Sequence, residues 1–414
     1  MLARVRIESI AAGGDGVARS DGLAVFVPRT APGDVVDVEL IQHGRFARAH
    51  ILSLQELSNV RVQPPCVHYE RDRCGGCQLQ HMQDQAQLDA KRGIVHDALH
   101  RIAKVHLLVP DVSPAPSAWG YRISLTLAIR RDGSAHSASW RFGLRDYEDP
   151  ERVFDLEECL ISDGQVLSAW NEIRAAAFLL PDAPRMSGTV RWLADSAAFS
   201  LRGGSRWSQQ LIGDFSRACP SISVAHWSPD YGMRRVLWDK REDATPPAFS
   251  FTQVNPGVAE QLHADVAKRV LAHNPRTAID AYSGVGDVAV VLARAGVAIT
   301  AIEVDKDAAQ FAASRLTLPS RSVAARVERA LQRALPADVV VLNPPRAGID
   351  PSVAQTLNAA TPKPRAIVYV SCDPATLARD VARLTNFSVA SVQPYDMFPQ
   401  TAHVETVCEL VPVQ

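Results

Sequence analysis

Strands and helices alternate along the C-terminal part of the chain, and this alternation strongly limits the folds that the sequence can form. Apolar runs such as TAIDAY, AITAIEV, ADVVVLN and RAIVYVS predict buried strands, and the segments between them have the apolar spacing of amphipathic helices. Continuous apolar strands separated by helices are typical of a doubly wound, mostly parallel sheet. We therefore predict an α/β domain over residues 246–414, with Pro246 and Pro247 at its boundary.

The N-terminal part has a different pattern. Over residues 1–57, short apolar runs alternate with glycine and other turn residues, which predicts a small β-barrel that could bind RNA, as OB-like barrels do, or another protein. Residues 58–245 are predicted to form a strand-rich central domain with a cysteine cluster, and a helix over about residues 84–102 could pack on the C-terminal domain. Three domains agree with a length of 414 residues, which is too long for one ordinary core.

The composition is that of a globular protein without a membrane span. The formal net charge is −1 at pH 7, so total charge neither supports nor excludes a nucleic-acid partner. There is no run of about 18 apolar residues and no secretory signal at the N-terminus. We expect a cytoplasmic monomer with no membrane contact, in which the seven cysteines serve metal binding or catalysis rather than disulfides.

Cys372 lies between a predicted strand and a helix that begins at Asp373 and Pro374. The free amide groups at a helix N-terminus favour the thiolate, which is the nucleophilic form of cysteine. A strand-to-helix elbow at the edge of a parallel sheet is also where α/β enzymes place their sites. The position therefore predicts a reactive cysteine, with a buried packing thiol as the alternative.

A cofactor site is predicted where a strand of the C-terminal domain runs into Gly284 and Gly286 before a helix. Glycines allow a ligand to approach the backbone closely, and the helix N-terminus supplies free amides. Glu303 ends the next strand, where a carboxylate can accept hydrogen bonds from ribose hydroxyls. The third glycine of the dinucleotide fingerprint is missing, so S-adenosylmethionine is favoured over a nicotinamide cofactor, and ordinary turn glycines are the alternative.

A later strand ends in Asn343, followed by two prolines and Arg346. This sequence is similar to the N-P-P-aromatic motif of methyltransferases that modify amino nitrogens, with Arg346 in place of the aromatic residue that stacks on a flat substrate. An amino-nitrogen methyltransferase is therefore a second candidate, and it would have no use for Cys372. Arg346 could contact a phosphate or a base of the substrate, or form a surface ion pair.

Five segments together resemble the S-adenosylmethionine-dependent RNA uracil-C5 methyltransferases: FTQVNPG, DAYSGVGD, LNPPRAG, VYVSCDPATLARD and DMFPQTAHVETV. The N-terminal barrel is similar to the TRAM domain of that family, and the cysteine cluster is similar to the iron-sulfur site of its ribosomal-RNA members. The resemblance implies a Rossmann-like class I methyltransferase domain and an RNA partner, with 23S rRNA favoured over tRNA. A non-catalytic RNA-binding protein, which would not bind S-adenosylmethionine, is the third candidate.

The resemblance also implies roles for single residues. Cys372 matches the nucleophile and Glu405 the base that removes a proton from the substrate, with His403 as a supporting hydrogen-bonding residue. Phe251 matches an aromatic residue that can stack against the target base. The positions that match S-adenosylmethionine contacts are Gln253, Tyr282, Asp287, Glu303 and Asn343.

Three positions depart from the pattern of the family. Family members usually have aspartate where this chain has Asn343 and often have asparagine where it has Asp287. Both changes are nearly isosteric, so we expect cofactor binding with an altered affinity. Gln400 stands where a histidine is commoner, which removes one histidine contact.

Cys66, Cys74 and Cys77 have the spacing C-x7-C-x2-C, and three close cysteines predict a metal site that needs a fourth ligand. By resemblance to the family, that ligand is Cys159. A [4Fe-4S] cluster is expected, with zinc held by four thiolates as the alternative. The first gap is longer than is usual in the family, which implies a short insertion beside Cys66. The other two cysteines, Cys219 and Cys408, are expected to be packing residues.

Overall fold

The computed structural model describes residues 1–132, 139–242 and 245–413. In these residues the chain forms three sheets, and each sheet is built from one continuous part of the sequence. No helix in this part of the chain is long and apolar enough to cross a membrane.

The first sheet is a six-stranded structure formed by the N-terminal residues. Its strands are β1 (Leu2–Arg6), β2 (Ser9–Ile10), β3 (Gly16–Ser20), β4 (Leu23–Val27), β5 (Val35–His43) and β6 (Phe46–Glu56). The spatial order is β1-β5-β6-β4-β3-β2, and alternate side chains such as Val36 and Val38 point into a small apolar core. Asp34 is fully buried beside this core and binds Arg61, with 2.7 Å between Oδ2 and Nη2, which fixes the chain where it leaves the sheet.

The central part of the chain contains a second six-stranded sheet. Its elements are α1 (Val67–Glu70), α2 (Asp84–Ala98), β7 (Ser124–Asp132), β8 (Ser139–Gly143), α3 (Gly164–Ala175), β9 (Arg185–Trp192), β10 (Ala197–Arg202), α4 (Gln209–Ala218), β11 (Ile222–Ser228) and β12 (Arg235–Asp239). The spatial order is β12-β11-β10-β9-β7-β8. Helices α3 and α4 cover an aromatic core that includes Trp170, Phe199 and Phe215.

The C-terminal part forms a seven-stranded sheet with helices on both faces. Its elements are α5 (Pro256–Ala272), β13 (Thr277–Ala281), α6 (Asp287–Arg294), β14 (Ala298–Glu303), α7 (Lys306–Arg315), β15 (Arg321–Ala324), α8 (Val327–Ala334), β16 (Val339–Leu342), α9 (Pro351–Ala359), β17 (Ala366–Ser371), α10 (Pro374–Arg383), β18 (Phe387–Tyr395) and β19 (Glu405–Pro412). The order is β15-β14-β13-β16-β17-β19-β18, with only β19 antiparallel to its neighbours. The predicted doubly wound α/β fold is confirmed.

Helix α2 lies far from the third sheet in sequence but shares its core. The apolar side chains of Ile94, Val95 and Leu99 belong to the same buried cluster as Leu377 and Val381 of α10. The helix extends through a single π-helical turn over Leu99–Ala103. An early segment of the chain therefore packs directly on the part of the sheet where the site is built.

Candidate active site

Cys372 occupies the turn between β17 and α10. Asp373 caps the helix by accepting a hydrogen bond from the backbone amide of Thr376, with 2.7 Å between the atoms. Asp380, fully buried in the same helix, accepts a hydrogen bond of 2.8 Å from the hydroxyl of Tyr369 in β17. The cap and this cross-link hold strand, turn and helix in one arrangement, so the position of the thiol is fixed.

The protonation state of Cys372 differs from the sequence prediction. Burial raises the pKa of the thiol, and the nearby Glu405 raises it further, whereas Arg346 lowers it through charge and a hydrogen bond. The expectation that the helix N-terminus would favour the thiolate is therefore wrong for the free protein, because desolvation outweighs the favourable groups. A thiol in this environment would have to lose its proton before it could act as a nucleophile.

Glu405 is the first residue of β19, and its side chain is buried. Its Oε2 atom has no hydrogen-bond partner within the described protein. Desolvation raises the pKa of this carboxyl group from 4.5 to about 8, although the Arg346 guanidinium opposes the shift. A carboxyl group with a pKa near neutrality is suited to exchange protons with a substrate. Cys372, Glu405 and Arg346 thus form one electrostatically connected group.

The predicted cofactor residues gather where β13, β14 and β16 end, at one edge of the sheet. The chain turns sharply after β13, and Gly286 has a φ of 82°. A Cβ atom on Gly286 would lie 2.8 Å from the Cβ of Ala312, so a larger residue does not fit there. Oε2 of Glu303 accepts a hydrogen bond of 2.9 Å from the amide of Gly284, and Asn343 follows β16 beside this loop.

Four further predicted residues lie near this edge. Asp287 begins α6 and accepts a hydrogen bond of 2.8 Å from Nη1 of Arg315. Gln253 and Phe251 lie in the segment before α5, where the backbone carbonyl of Phe251 is 3.9 Å from the Cβ position of Gly284. The Phe251 side chain is 67% exposed, so its ring is free to meet a substrate base. Tyr282 is half-buried in the turn itself and has a φ of 63°.

Asp280 is a further candidate site residue that sequence reasoning missed. It lies near the end of β13, immediately behind the glycine loop, and its Oδ2 atom has no hydrogen-bond partner among the described residues. Burial raises the pKa of this carboxyl group to about 7. An acidic residue inside the otherwise apolar run AIDA was the available signal, because a buried carboxyl group usually serves a binding partner or a proton transfer.

Substitution of Glu303 by Gln is expected to weaken S-adenosylmethionine binding by about 10- to 100-fold, because the substitution weakens charge-assisted hydrogen bonds worth about 1.5–3 kcal/mol. Titration calorimetry with the cofactor would measure the change, and Glu260→Gln on the exposed face of α5 is a matched control. Unchanged affinity in Glu303→Gln would place the ribose elsewhere.

The four predicted cysteine ligands line one cavity of about 270 Å³: Cys66, Cys74, Cys77 and Cys159. Burial raises the pKa of Cys74 to about 11 and that of Cys77 to about 12. Nowhere in the described residues do three or more His, Cys, Asp or Glu side chains lie close enough to hold a metal ion as they stand. The metal site therefore stays a prediction. Cys219 and Cys408 are fully buried in apolar cores.

The same cavity extends to Arg346, which lies near the candidate catalytic residues Cys372 and Glu405. Arg346, Phe398 and His403 line it together with the cysteines. Burial lowers the pKa of His403, so the neutral imidazole is favoured there. The cysteine cluster and the candidate active site therefore border a common space.

The glycine loop, the acidic strand end and the sheet order are the features expected of an S-adenosylmethionine-dependent methyltransferase. Residues 330–411 match the family model described as tRNA (Uracil-5-)-methyltransferase, and residues 3–52 match the TRAM domain. An uncharacterized RNA methyltransferase of Protochlamydia amoebophila is 30% identical over 435 residues, which cover 98% of this chain and 96% of that protein. An uncharacterized RNA methyltransferase of Gloeobacter violaceus is 32% identical over 458 residues, which cover 98% and 95%.

A solved structure is similar over the whole length. The tRNA (uracil-54, C5)-methyltransferase of Pyrococcus abyssi, in complex with S-adenosyl-L-homocysteine, has a TM-score of 0.72 and 24% identity, and the match covers 99% of each chain. This likeness shows a common fold. On the sequence matches, this chain belongs to the S-adenosylmethionine-dependent RNA uracil-5 methyltransferase family, and the predicted enzyme class, TRAM domain and RNA partner are confirmed.

Proposed function

We propose that this enzyme methylates C5 of a uridine in 23S rRNA through a covalent bond between Cys372 and C6 of the base. The observation that carries the proposal is the pairing of a thiol on a rigid elbow with a buried carboxyl group whose Oε2 atom has no partner among the described residues. A structural carboxyl group would be exposed or hydrogen-bonded, because an unpaired buried one is costly.

The residues at the sheet edge fit S-adenosylmethionine. The glycine loop leaves no room for a Cβ at Gly286, Glu303 stands at the strand end, and the unpartnered Oδ2 of Asp280 lies behind the loop. The residues that would hold the cofactor are Gln253, Tyr282, Asp287, Glu303 and Asn343. When bound, S-adenosylmethionine supplies an electrophilic methyl group.

Cys372 and Glu405 carry out the remaining steps of the proposed reaction. Uracil C5 is a weak nucleophile, so the Cys372 thiolate adds to C6 and shifts electron density to C5. After C5 has accepted the methyl group, Glu405 removes the C5 proton. The C6–S bond then breaks, which restores the double bond of the base and returns the thiolate. Phe251 and Arg346 would hold the base after it has left its stack.

The proposal of 23S rRNA as the substrate is based on the parts of the chain outside the catalytic domain. The N-terminal barrel and the cysteine cluster resemble those of ribosomal-RNA members, and this favours 23S rRNA. The tRNA alternative has its own support, because the full-length structural match is to a protein named as a tRNA methyltransferase. A matched set of RNA substrates can separate these two candidates.

The experiment that tests the proposal is a trapping reaction with S-adenosylmethionine and RNA in which uridine is replaced by 5-fluorouridine. Fluorine blocks loss of the C5 substituent, so the enzyme stays attached to its target, and mass spectrometry identifies both the residue and the nucleotide. We expect an adduct between Cys372 and a 23S rRNA transcript. An adduct with tRNA alone would select the alternative substrate.

Two other outcomes would overturn the proposal. Methylation of an amino nitrogen without an adduct would support the chemistry based on Asn343. An RNA complex formed without any binding of S-adenosylmethionine, measured by equilibrium dialysis, would support a non-catalytic RNA-binding protein.

We also propose that the cysteine cluster holds a [4Fe-4S] centre. The support for this proposal is that the four cysteines line one cavity and that three of them have the spacing C-x7-C-x2-C. Zinc held by four thiolates is the alternative. We expect the cluster to tie the loop around Cys77 to the segment that carries Cys159.

Protein purified without oxygen is expected to contain about four irons and four sulfides per chain. Cys77→Ser should remove most of this iron, because a ligand to the cluster is lost, and Cys219→Ser should keep it because that cysteine packs in a separate core. Elemental analysis gives the metal content. Stoichiometric zinc without sulfide would select the alternative metal, and a protein without either metal would contradict the proposal.

A further inference from the structure

Lys91 is a buried charge that the reaction described above does not use. It lies in α2, its side chain has no exposed surface, and its ammonium group pairs with the carboxylate of Asp396. The same Nζ atom donates a hydrogen bond of 3.0 Å to the carbonyl of Phe398. Both partners lie in residues 396–404, called here the base segment, which connects β18 to β19 and leads directly into Glu405.

Gln87, one turn earlier on the same helix, holds the middle of the base segment. Its side chain forms a closed pair with Gln400: Nε2 of Gln87 donates to Oε1 of Gln400 at 3.0 Å, and the backbone amide of Gln400 donates to Oε1 of Gln87 at 3.1 Å. Gln400 has a φ of 69°, a conformation that residues with a side chain rarely adopt without support. The pair supplies that support.

Three further hydrogen bonds to the base segment come from the early part of the chain. The backbone amides of Gln78 and Leu79 donate to the carbonyl of Gln400 at 3.1 and 3.0 Å. The Tyr121 hydroxyl donates to the carbonyl of Pro399 at 3.0 Å. The base segment thus has no regular secondary structure of its own but is held by residues about 300 positions earlier in the sequence.

This support matters because Oε2 of Glu405 has no hydrogen-bond partner in the described protein. A hydrogen bond to that oxygen would aim the carboxyl group, but it would also occupy the atom that has to accept a proton. Without such a bond, the placement of the carboxyl group depends on the backbone of Glu405, which pairs with Tyr395 of β18 and follows directly after the base segment. A fixed backbone can aim the base and leave this oxygen free.

We propose that Lys91 and Gln87 are positioning residues for Glu405: by fixing the base segment, helix α2 aims the carboxyl group at C5 of the bound uridine. This inference rests on the function proposed above. It predicts that loss of either side chain slows removal of the C5 proton and leaves addition of Cys372 nearly unchanged. The covalent, methylated enzyme–RNA complex should then accumulate.

The test compares Lys91→Met, Gln87→Ala and the double variant Lys91→Met/Asp396→Asn with the wild-type enzyme. Single-turnover reactions with unmodified RNA give the rate at which the covalent complex is released, and 5-fluorouridine RNA gives the rate at which it forms. We expect release of the covalent complex to slow by about 10- to 100-fold, which is the effect of displacing a catalytic carboxyl group by about 1 Å. The rate of adduct formation should change by less than about threefold. Lys268→Met, on the exposed face of α5, is the control and should match wild type.

The three variants separate positioning from folding. Lys91→Met leaves Asp396 buried without its partner, which can unfold the protein, whereas Gln87→Ala introduces no buried charge and the double variant removes both charges. Slow release in these two variants, at normal cofactor affinity, supports the inference. Equal losses in formation and release, or no loss in either, would overturn it. If the wild-type enzyme itself forms no adduct with any RNA, the proposed function fails, and this inference fails with it.

Discussion

Cys372→Ala is expected to abolish methyl transfer, with a fall in kcat of at least about 10⁴-fold, because the covalent step has no other nucleophile. The affinity for S-adenosylmethionine should stay within about twofold of wild type, since the cofactor residues lie on neighbouring strands rather than at the elbow. Formation of 5-methyluridine, measured by nucleoside mass spectrometry, gives the rate, and Cys219→Ala provides a matched control in a separate core.

A different result would be equally informative. If Cys372→Ala keeps its activity and the methyl group is found on an amino nitrogen, the sequence around Asn343 would be the reacting site. The absence of the 5-fluorouridine adduct in this variant, together with its presence in the control, would establish Cys372 as the attached residue.

Glu405→Gln is expected to lower kcat by about 10²- to 10⁴-fold, because the amide cannot accept the C5 proton. In contrast to Cys372→Ala, this variant should still form the bond to C6. A methylated covalent complex with unmodified RNA should therefore accumulate, and denaturing electrophoresis would detect it. If no complex accumulates while kcat falls, Glu405 would act before the covalent step.

The raised pKa of Glu405 predicts that both the release step and the stability of the wild-type enzyme depend on pH. The carboxyl group must be ionised to act as a base, so the release step in the wild type should speed up as pH rises and level off above about 8. Its folded pKa of about 8 lies above the ordinary value of 4.5, so the folded state holds the proton more tightly than the unfolded state does. This group therefore lowers the free energy of unfolding as pH rises from about 4.5 to about 8. The free energy of unfolding of the Glu405→Gln variant should fall less over the same pH range.

The parts of this structure that follow from local pattern were predictable from the sequence. Periodicity placed the strands and helices of the third sheet, and the capping residues Asp373 and Pro374 placed the elbow of Cys372. The contact between Glu303 and the glycine loop follows from the meeting of parallel strands at one edge. All of these features depend on short stretches of chain and on the rules of one fold.

What could not be predicted depends on burial or on distant pairs. The thiol pKa of Cys372 was expected to fall because of the helix N-terminus, but burial, which is a property of the whole fold, raises it. Asp280 was hidden in an apolar run, and its unpaired Oδ2 atom appears only when the strand is packed. Lys91 lies 305 positions before Asp396, and a single sequence carries no signal for such a pair.

The hydrogen bonds between Gln87 and Gln400 join residues 313 positions apart. The two halves of the site therefore differ in how much of the chain they need. The cofactor edge is built within one stretch of chain, whereas part of the core behind it is supplied by helix α2. The orientation of Glu405 is not determined by that stretch alone, because it depends on helix α2 and on a loop from the N-terminal part of the sequence. A C-terminal domain moved to another protein would therefore need helix α2 with it, both to complete the apolar core and to hold the base segment.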